Sequence, residues 1–163
     1  MSKDSRDDPK GQLARQLTGE LLELSMALDL IGNAAAGRIG INQTDLICLT
    51  LLVRRGPMSP GQIASLLGLT TAAISAMATR LEAGGYAARE IDPSDRRRIL
   101  MHALPAGAEQ AFGLFDDFFQ ATVDSLGSTS QADLRRVIAV LVRFRGIVIE
   151  HAAAIRAAPT SSS

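Results

Sequence analysis

Three consecutive arginines, Arg96, Arg97 and Arg98, follow Asp92-Pro93-Ser94-Asp95 and make the longest run of cations in the sequence. Guanidinium groups are planar, permanently charged and able to bond in pairs, so their chemistry is recognition of phosphate or of a guanine edge. Asp92 and Asp95 offset part of that charge, and a solvated charged hairpin is the plain alternative. The remaining reactive groups are sparse. A single cysteine, Cys48, can form neither an internal disulfide nor a cysteine-based metal cluster, and two isolated histidines, His102 and His151, do not complete a ligand set. No metal and no cofactor is expected. Between Ile47 and Leu49 on a periodic stretch, Cys48 reads as a small buried hydrophobe rather than a redox sensor. There is no Gly-rich phosphate loop, nucleophile elbow or supported carboxylate pair, and Asp116-Asp117 reads as helix surface, so no enzyme chemistry is expected.

The elements that would hold the arginines can be read from spacing. Leu13, Leu17, Leu21, Leu24, Leu28 and Ile31 recur at steps of four and three, the stripe of a long helix that Gly37 to Gly40 ends. A second helix runs from about Asn42 to Arg55 and stops at Gly56-Pro57. Arg54 and Arg55 there complement the helix dipole more readily than they reach a partner. Ser59 before Pro60 opens a short helix through Ile63, Ala64 and Leu67, ended by Gly68. Thr70 caps the next, carrying Ile74, Met77 and Leu81 and closing at Gly84-Gly85. Tyr86–Ile91 and Ile99–Leu104 are strand-like, with the acidic tetrad and the three arginines forming the hairpin loop between them. Ala108, Ala111, Phe112, Phe115, Phe118, Phe119 and Val123 predict one further helix up to Gly127, and a last helix after Ser130 carries Leu134, Ile138, Leu141, Phe144 and Val148. The apolar stripes of the terminal helices are too broad for the central segment to cover, so something else must bury them.

Composition narrows the class. The sequence of 163 residues fits one lobe with accompanying helices and leaves no room for a second catalytic domain. With 47% hydrophobic and 4% aromatic residues and no Trp, the interior is built of Leu, Ile, Val and Ala, which favours a mainly α fold. Zero net charge excludes a protein that coats nucleic acid indiscriminately, so any DNA contact is local. The first ten residues lack an apolar signal core, and no stretch runs apolar for the roughly 18 residues a span requires, so a cytoplasmic protein without membrane contact is expected.

Ala64, Gly68 and Ile74 fall where a helix-turn-helix needs a close helix approach, a turn and a plug between the two helices. With the hairpin that follows, the stretch from Met58 to about Gln110 resembles the core of the MarR (multiple antibiotic resistance regulator) family, and Asp95-Arg96-Arg97 ahead of Leu100 is similar to its wing signature. The resemblance implies a winged helix-turn-helix lobe over residues 42–104, flanked by N- and C-terminal dimerisation helices over 11–41 and 105–157, with residues 1–10 and 158–163 disordered. It implies a homodimer, which would explain the surplus apolar stripes, and a pseudo-palindromic double-stranded DNA operator with half-sites one helical turn apart.

Among the residues, the resemblance puts Thr70, Thr71, Ala72, Ser75, Ala76, Thr79 and Arg80 at DNA-facing positions of the recognition helix. The set is small and apolar, so thymine methyls and DNA shape would carry more of the reading than hydrogen bonds to bases. Arg97 matches the arginine that enters the minor groove, Asp95 the acid that holds the wing in shape, and Arg96 and Arg98 would lean toward phosphates. Ser59 reads equally as a phosphate contact at a helix N-terminus and as a plain N-cap. The functional expectation is a sequence-specific transcription regulator, a repressor released by a small-molecule effector whose binding residues the sequence does not mark. The alternative is a dimeric winged-helix module that binds a protein and does not read DNA, favoured by the neutral charge and the Ala-rich recognition helix.

Overall fold

The computed structural model describes residues 8–158. Its elements run in the order α1 (Pro9–Arg38), α2 (Gln43–Arg55), α3 (Pro60–Leu67), α4 (Thr71–Ala83), β1 (Ala87–Asp92), β2 (Asp95–Ala103), α5 (Pro105–Gly113), α6 (Asp116–Ser125) and α7 (Gln131–Ala157). The chain divides into two compact units between Leu114 and Phe115. No single helix among the described residues is long and apolar enough to cross a membrane.

Side-chain caps set most helix starts. Asp8, Asn42, Ser59, Thr70 and Ser130 each accept a backbone N–H from the first turn of α1, α2, α3, α4 and α7 respectively, which satisfies one of the donors a helix leaves open. Between α3 and α4 the chain bends by 111°, within the range of a helix-turn-helix. Gly68 makes the corner in the left-handed region at φ 68°, where a side chain would be strained, and Leu69 donates its N–H back to the Ala64 carbonyl at 3.1 Å.

The hairpin is antiparallel, with Ala87 opposite Ala103 and Ile91 opposite Ile99. Met58 extends it by a bridge to Met101, exchanging N–H···O bonds of 2.9 and 2.8 Å. Leu49, Ile63, Ile74, Met77, Leu81 and Met101 form the core of this first unit, which is how the two short helices, α2 and the hairpin become one body. The Tyr86 hydroxyl donates to the Ile39 carbonyl at 3.0 Å and ties the end of α1 to the base of the hairpin. A Cβ on Gly107 would come within 2.4 Å of the Gly85 carbonyl oxygen, so only glycine lets the start of α5 lie this close. In the second unit neither α6 nor α7 buries any residue, and Phe118 and Phe119 meet at 5.6 Å between ring centroids.

Three details differ from the sequence reading. The three arginines fall within β2 rather than in the hairpin loop, in a bulge between the Ile91–Ile99 and Asp92–Asp95 pairs. The turn is shorter because the Asp92 carboxylate takes the Ser94 N–H at 2.8 Å and the Ser94 hydroxyl at 2.6 Å, closing the chain at once. The helix foreseen from Ala108 to Val123 is two, α5 and α6, parted at Leu114 and Phe115. Gly113 weakens the helix there, and Asp116 and Asp117 favour a new N-terminus. Finally, α1 begins at Pro9, so of the residues 1–10 expected to be disordered the last two are helical, while 1–7 and 159–163 lie outside the described residues.

Candidate nucleic-acid interface

One face of α4 is bare. Thr71, Ala72, Ser75, Ala76, Thr79 and Arg80 are exposed, while Ile74, Met77, Ala78 and Leu81 turn into the core, the split that a 3.6-residue period demands. Thr70, ahead of them, accepts the Ala73 N–H on its hydroxyl oxygen at 3.2 Å as an N-cap.

Arg80 has a partner the spacing did not reveal. Its Nε donates to Asp45 Oδ2 at 2.8 Å and its Nη2 to Oδ1 at 2.7 Å, a bidentate pair whose carboxylate is wholly buried in α2. The hydrogen bond to Asp45 raises the Arg80 pKa above its ordinary value. The pair therefore pins α4 to α2, and the Arg80 charge is largely answered within the protein. The sequence reading passed over Asp45, which lies in the first turn of α2; only the fold carries it under α4.

Arg89, on β1, is a second residue that the spacing passed over. Its guanidinium lies 2.9 Å from the Glu82 carboxylate and donates to the Ser75 carbonyl at 3.1 Å, while its N–H donates to Glu82 at 3.0 Å. A cleft of about 190 Å³ opens beside it, lined by Pro60, Thr71, Ile74, Ser75, Ala78 and Arg89. Another, of about 200 Å³, lies between Ile31, Ala34, Ala35, Arg38 and Leu114.

At the hairpin tip two aspartates fix the backbone and leave the arginines outside. The hydrogen bonds from Ser94 hold the Asp92 carboxyl below the usual carboxylate range, helped by the nearby charge of Arg98. Asp95 Oδ1 accepts the Arg97 N–H at 3.1 Å. Among the described residues, no hydrogen bond or salt bridge engages the exposed guanidiniums of Arg96, Arg97 or Arg98. Permanent cations held out on a braced strand suit an anion that the protein does not supply.

The other candidates are quieter. Ser59 and Gln62 form a reciprocal capping box, Ser59 N–H donating to Gln62 Oε1 at 2.8 Å and Gln62 N–H to Ser59 Oγ at 3.3 Å, so the N-cap role is filled. Cys48 is fully buried, and burial, followed by the charge of Asp45, pushes its thiol up to about 11. His102 Nδ1 lies 3.6 Å from the Glu90 carboxylate, beyond hydrogen-bond length, and His151 Nδ1 sits 2.9 Å from the Ile147 carbonyl oxygen.

Comparison with known proteins gives a consistent likeness. The model of the MarR family matches residues 41–99. The HTH-type transcriptional regulator YcgE of Bacillus subtilis is 33% identical over 121 residues, covering 74% of this chain and 79% of that protein. A second regulator of that bacterium, YkoM, is 37% identical over 70 residues, 43% of this chain and 46% of its own. Among solved structures, a MarR family protein from Bacillus stearothermophilus superposes with a TM-score of 0.67 at 16% identity, covering 84% of this chain and 96% of its own. The apo form of MarR from E. coli gives 0.57 at 21% identity, covering 76% and 94%. Likeness at such identities is a likeness of fold, a winged helix-turn-helix.

Proposed function

The chain belongs to the MarR family of transcriptional regulators, which bind DNA, and on that premise we propose that it is a cytoplasmic, homodimeric repressor that reads a pseudo-palindromic operator and releases it when a small molecule binds. The observation that carries this reading is the pairing, on one lobe, of a bare α4 face with the exposed guanidiniums of Arg96, Arg97 and Arg98, which no hydrogen bond or salt bridge engages among the described residues. In the bound state α4 lies in the major groove, where Thr71, Ser75 and Thr79 offer hydroxyls to base edges and Ala72 and Ala76 meet thymine methyls. Arg97 enters the minor groove, Asp95 keeps its backbone in place, and Arg96, Arg98 and the Ser59 and Thr70 helix starts face phosphates. Arg80 joins this set indirectly, holding the angle of α4 through Asp45.

Residues 11–41 and 105–157 serve dimerisation in this reading. Support comes from Leu13, Leu17, Leu28, Phe119, Val123, Ile138, Leu141 and Val148, all exposed in the single chain. Apolar surface of that extent is normally covered by a partner.

Sedimentation of the full chain with a selected duplex tests the assembly: two chains per duplex are expected. A reporter driven by the selected promoter should rise when the gene is deleted; a fall would make the protein an activator. The competing reading, a winged-helix module for a protein partner, draws on the zero net charge and on Ala72 and Ala76 at the centre of α4. It predicts no sequence preference in any duplex pool.

A further inference from the structure

Ile91 and Ile99 are register partners on the hairpin, yet they are 63% and 50% exposed. A β-branched cross-strand pair left this open is contiguous apolar surface that a partner can cover. Alternation along the strands identifies the face it occupies. On β1, Ala87, Arg89 and Ile91 point the same way, and on β2 Met101 and Ile99 do. Ala87 and Met101 are buried, and Arg89 bonds to Ser75 and Glu82 of α4, so this is the sheet face that carries α4. The isoleucine pair continues that face outward to the bulge that carries the three arginines.

We infer that Ile91 and Ile99 make an apolar contact with the deoxyribose wall of the bound duplex beside the minor groove, acting with Arg97. This rests on the DNA-reading function proposed above. Charge chooses the occupant. The exposed guanidiniums of Arg96, Arg97 and Arg98 precede Ile99 on the same strand and outnumber the exposed acids nearby: Asp92 is buried against Ser94, Asp95 accepts the Arg97 N–H, and Glu90 alternates to the opposite face of the hairpin. A surface with an apolar centre and a cationic edge matches a sugar wall bordered by phosphates. The contact carries no base information, so it adds affinity without changing which sequence is read.

The test uses the full-length protein and a duplex enriched from a random pool by the wild type, titrated by fluorescence anisotropy at several salt concentrations. Ile91→Ser and Ile99→Ser are each expected to weaken binding roughly fivefold, the loss of one to two buried methylene groups, and the double variant about twentyfold. The salt slope and base preferences should not move, because no counterion or base edge is involved. Ile91→Val should bind nearly as well as the wild type. An unchanged affinity in the double variant overturns the inference while leaving DNA reading intact. So does a fall in melting temperature on either serine substitution, which would make the pair a prop of the hairpin. Absence of binding by the wild type to any duplex removes the DNA-reading function, and this contact with it.

Discussion

Leu49, Ile63, Ile74, Leu81 and Met101 in the winged lobe are at most 1% exposed, and none of them needs a second molecule to be covered. The helices α6 and α7 have apolar periodicity of the same kind, but bury nothing, with Phe119 at 54% and Val148 at 65% exposure. One region closes its core within a single chain; the other leaves its apolar stripes open. The two differ in chain geometry rather than composition. In the lobe, tight turns at Gly56, Gly68 and Gly85 fold short elements back onto one another, whereas α7, 27 residues long, outruns what its own unit can wrap around it.

The largest effect that could break this comparison is in the core. Leu81→Ala is expected to cost the lobe about 3–4 kcal/mol, measured by denaturant unfolding, because it leaves a void among fixed neighbours. Val148→Ser should leave the lobe's unfolding untouched and instead raise the concentration at which the protein dissociates, read by sedimentation. A concentration-independent loss of stability from Val148→Ser would mean that the second unit has a core of its own.

Next in size is the pair that joins α4 to α2. Arg80→Ala strands a buried carboxylate and should cost about 2–3 kcal/mol, a value reduced from that of a fully buried pair because Arg80 is half exposed. Asp45→Asn should cost less and still weaken DNA binding, since α4 loses its anchor while its exposed face is unchanged. Equal DNA affinity in Asp45→Asn would show the pair to be purely structural.

Arg97→Ala probes the opposite kind of residue. It should weaken operator binding at least tenfold with a change in stability within about 0.5 kcal/mol, because an exposed arginine on the wing contributes little to folding. Arg96→Ala should lower the salt slope by about one unit.

The smallest effects come from the titrating groups. The Asp92 carboxyl is held low by Ser94, so its contribution to the turn is present above the ordinary aspartate pKa of about 3.9 and is lost as pH falls through the lower folded value. Protection of the Ser94 amide from exchange should therefore fall only in acid, and Asp92→Asn should abolish that acid step. Cys48, with its thiol near 11 and no exposure, should react with a thiol reagent only on unfolding. Labelling of the folded protein at neutral pH would place a solvent path to α2.

Most of the lobe was legible because its signals are local. Ser59-Pro60, Gly68 and Thr70 each act on the next few residues, and the caps they predict are the caps observed. Membership of the family was legible from Asp95-Arg96-Arg97 in that setting. The ion pair of Asp45 with Arg80 was not, because it joins residues 35 apart in sequence and depends on how α2 crosses α4. Arg89 was hidden for the same reason: a strand residue gives no hint that its side chain will lie across a helix. The break at Leu114 was masked by apolar spacing that continues in phase through Phe115 and Phe118, a pattern blind to the backbone between the two helices.

The measurement that bears most directly on function is selection of bound sequences from a random double-stranded DNA pool, run side by side with the wild type and Arg97→Ala. Enrichment of a two-fold-symmetric site with half-sites about ten base pairs apart, reduced by the substitution, is the expected result. A pool that stays unenriched, with weak and salt-sensitive binding indifferent to Arg97, would contradict DNA reading by this lobe and leave a protein partner as the ligand of its wing.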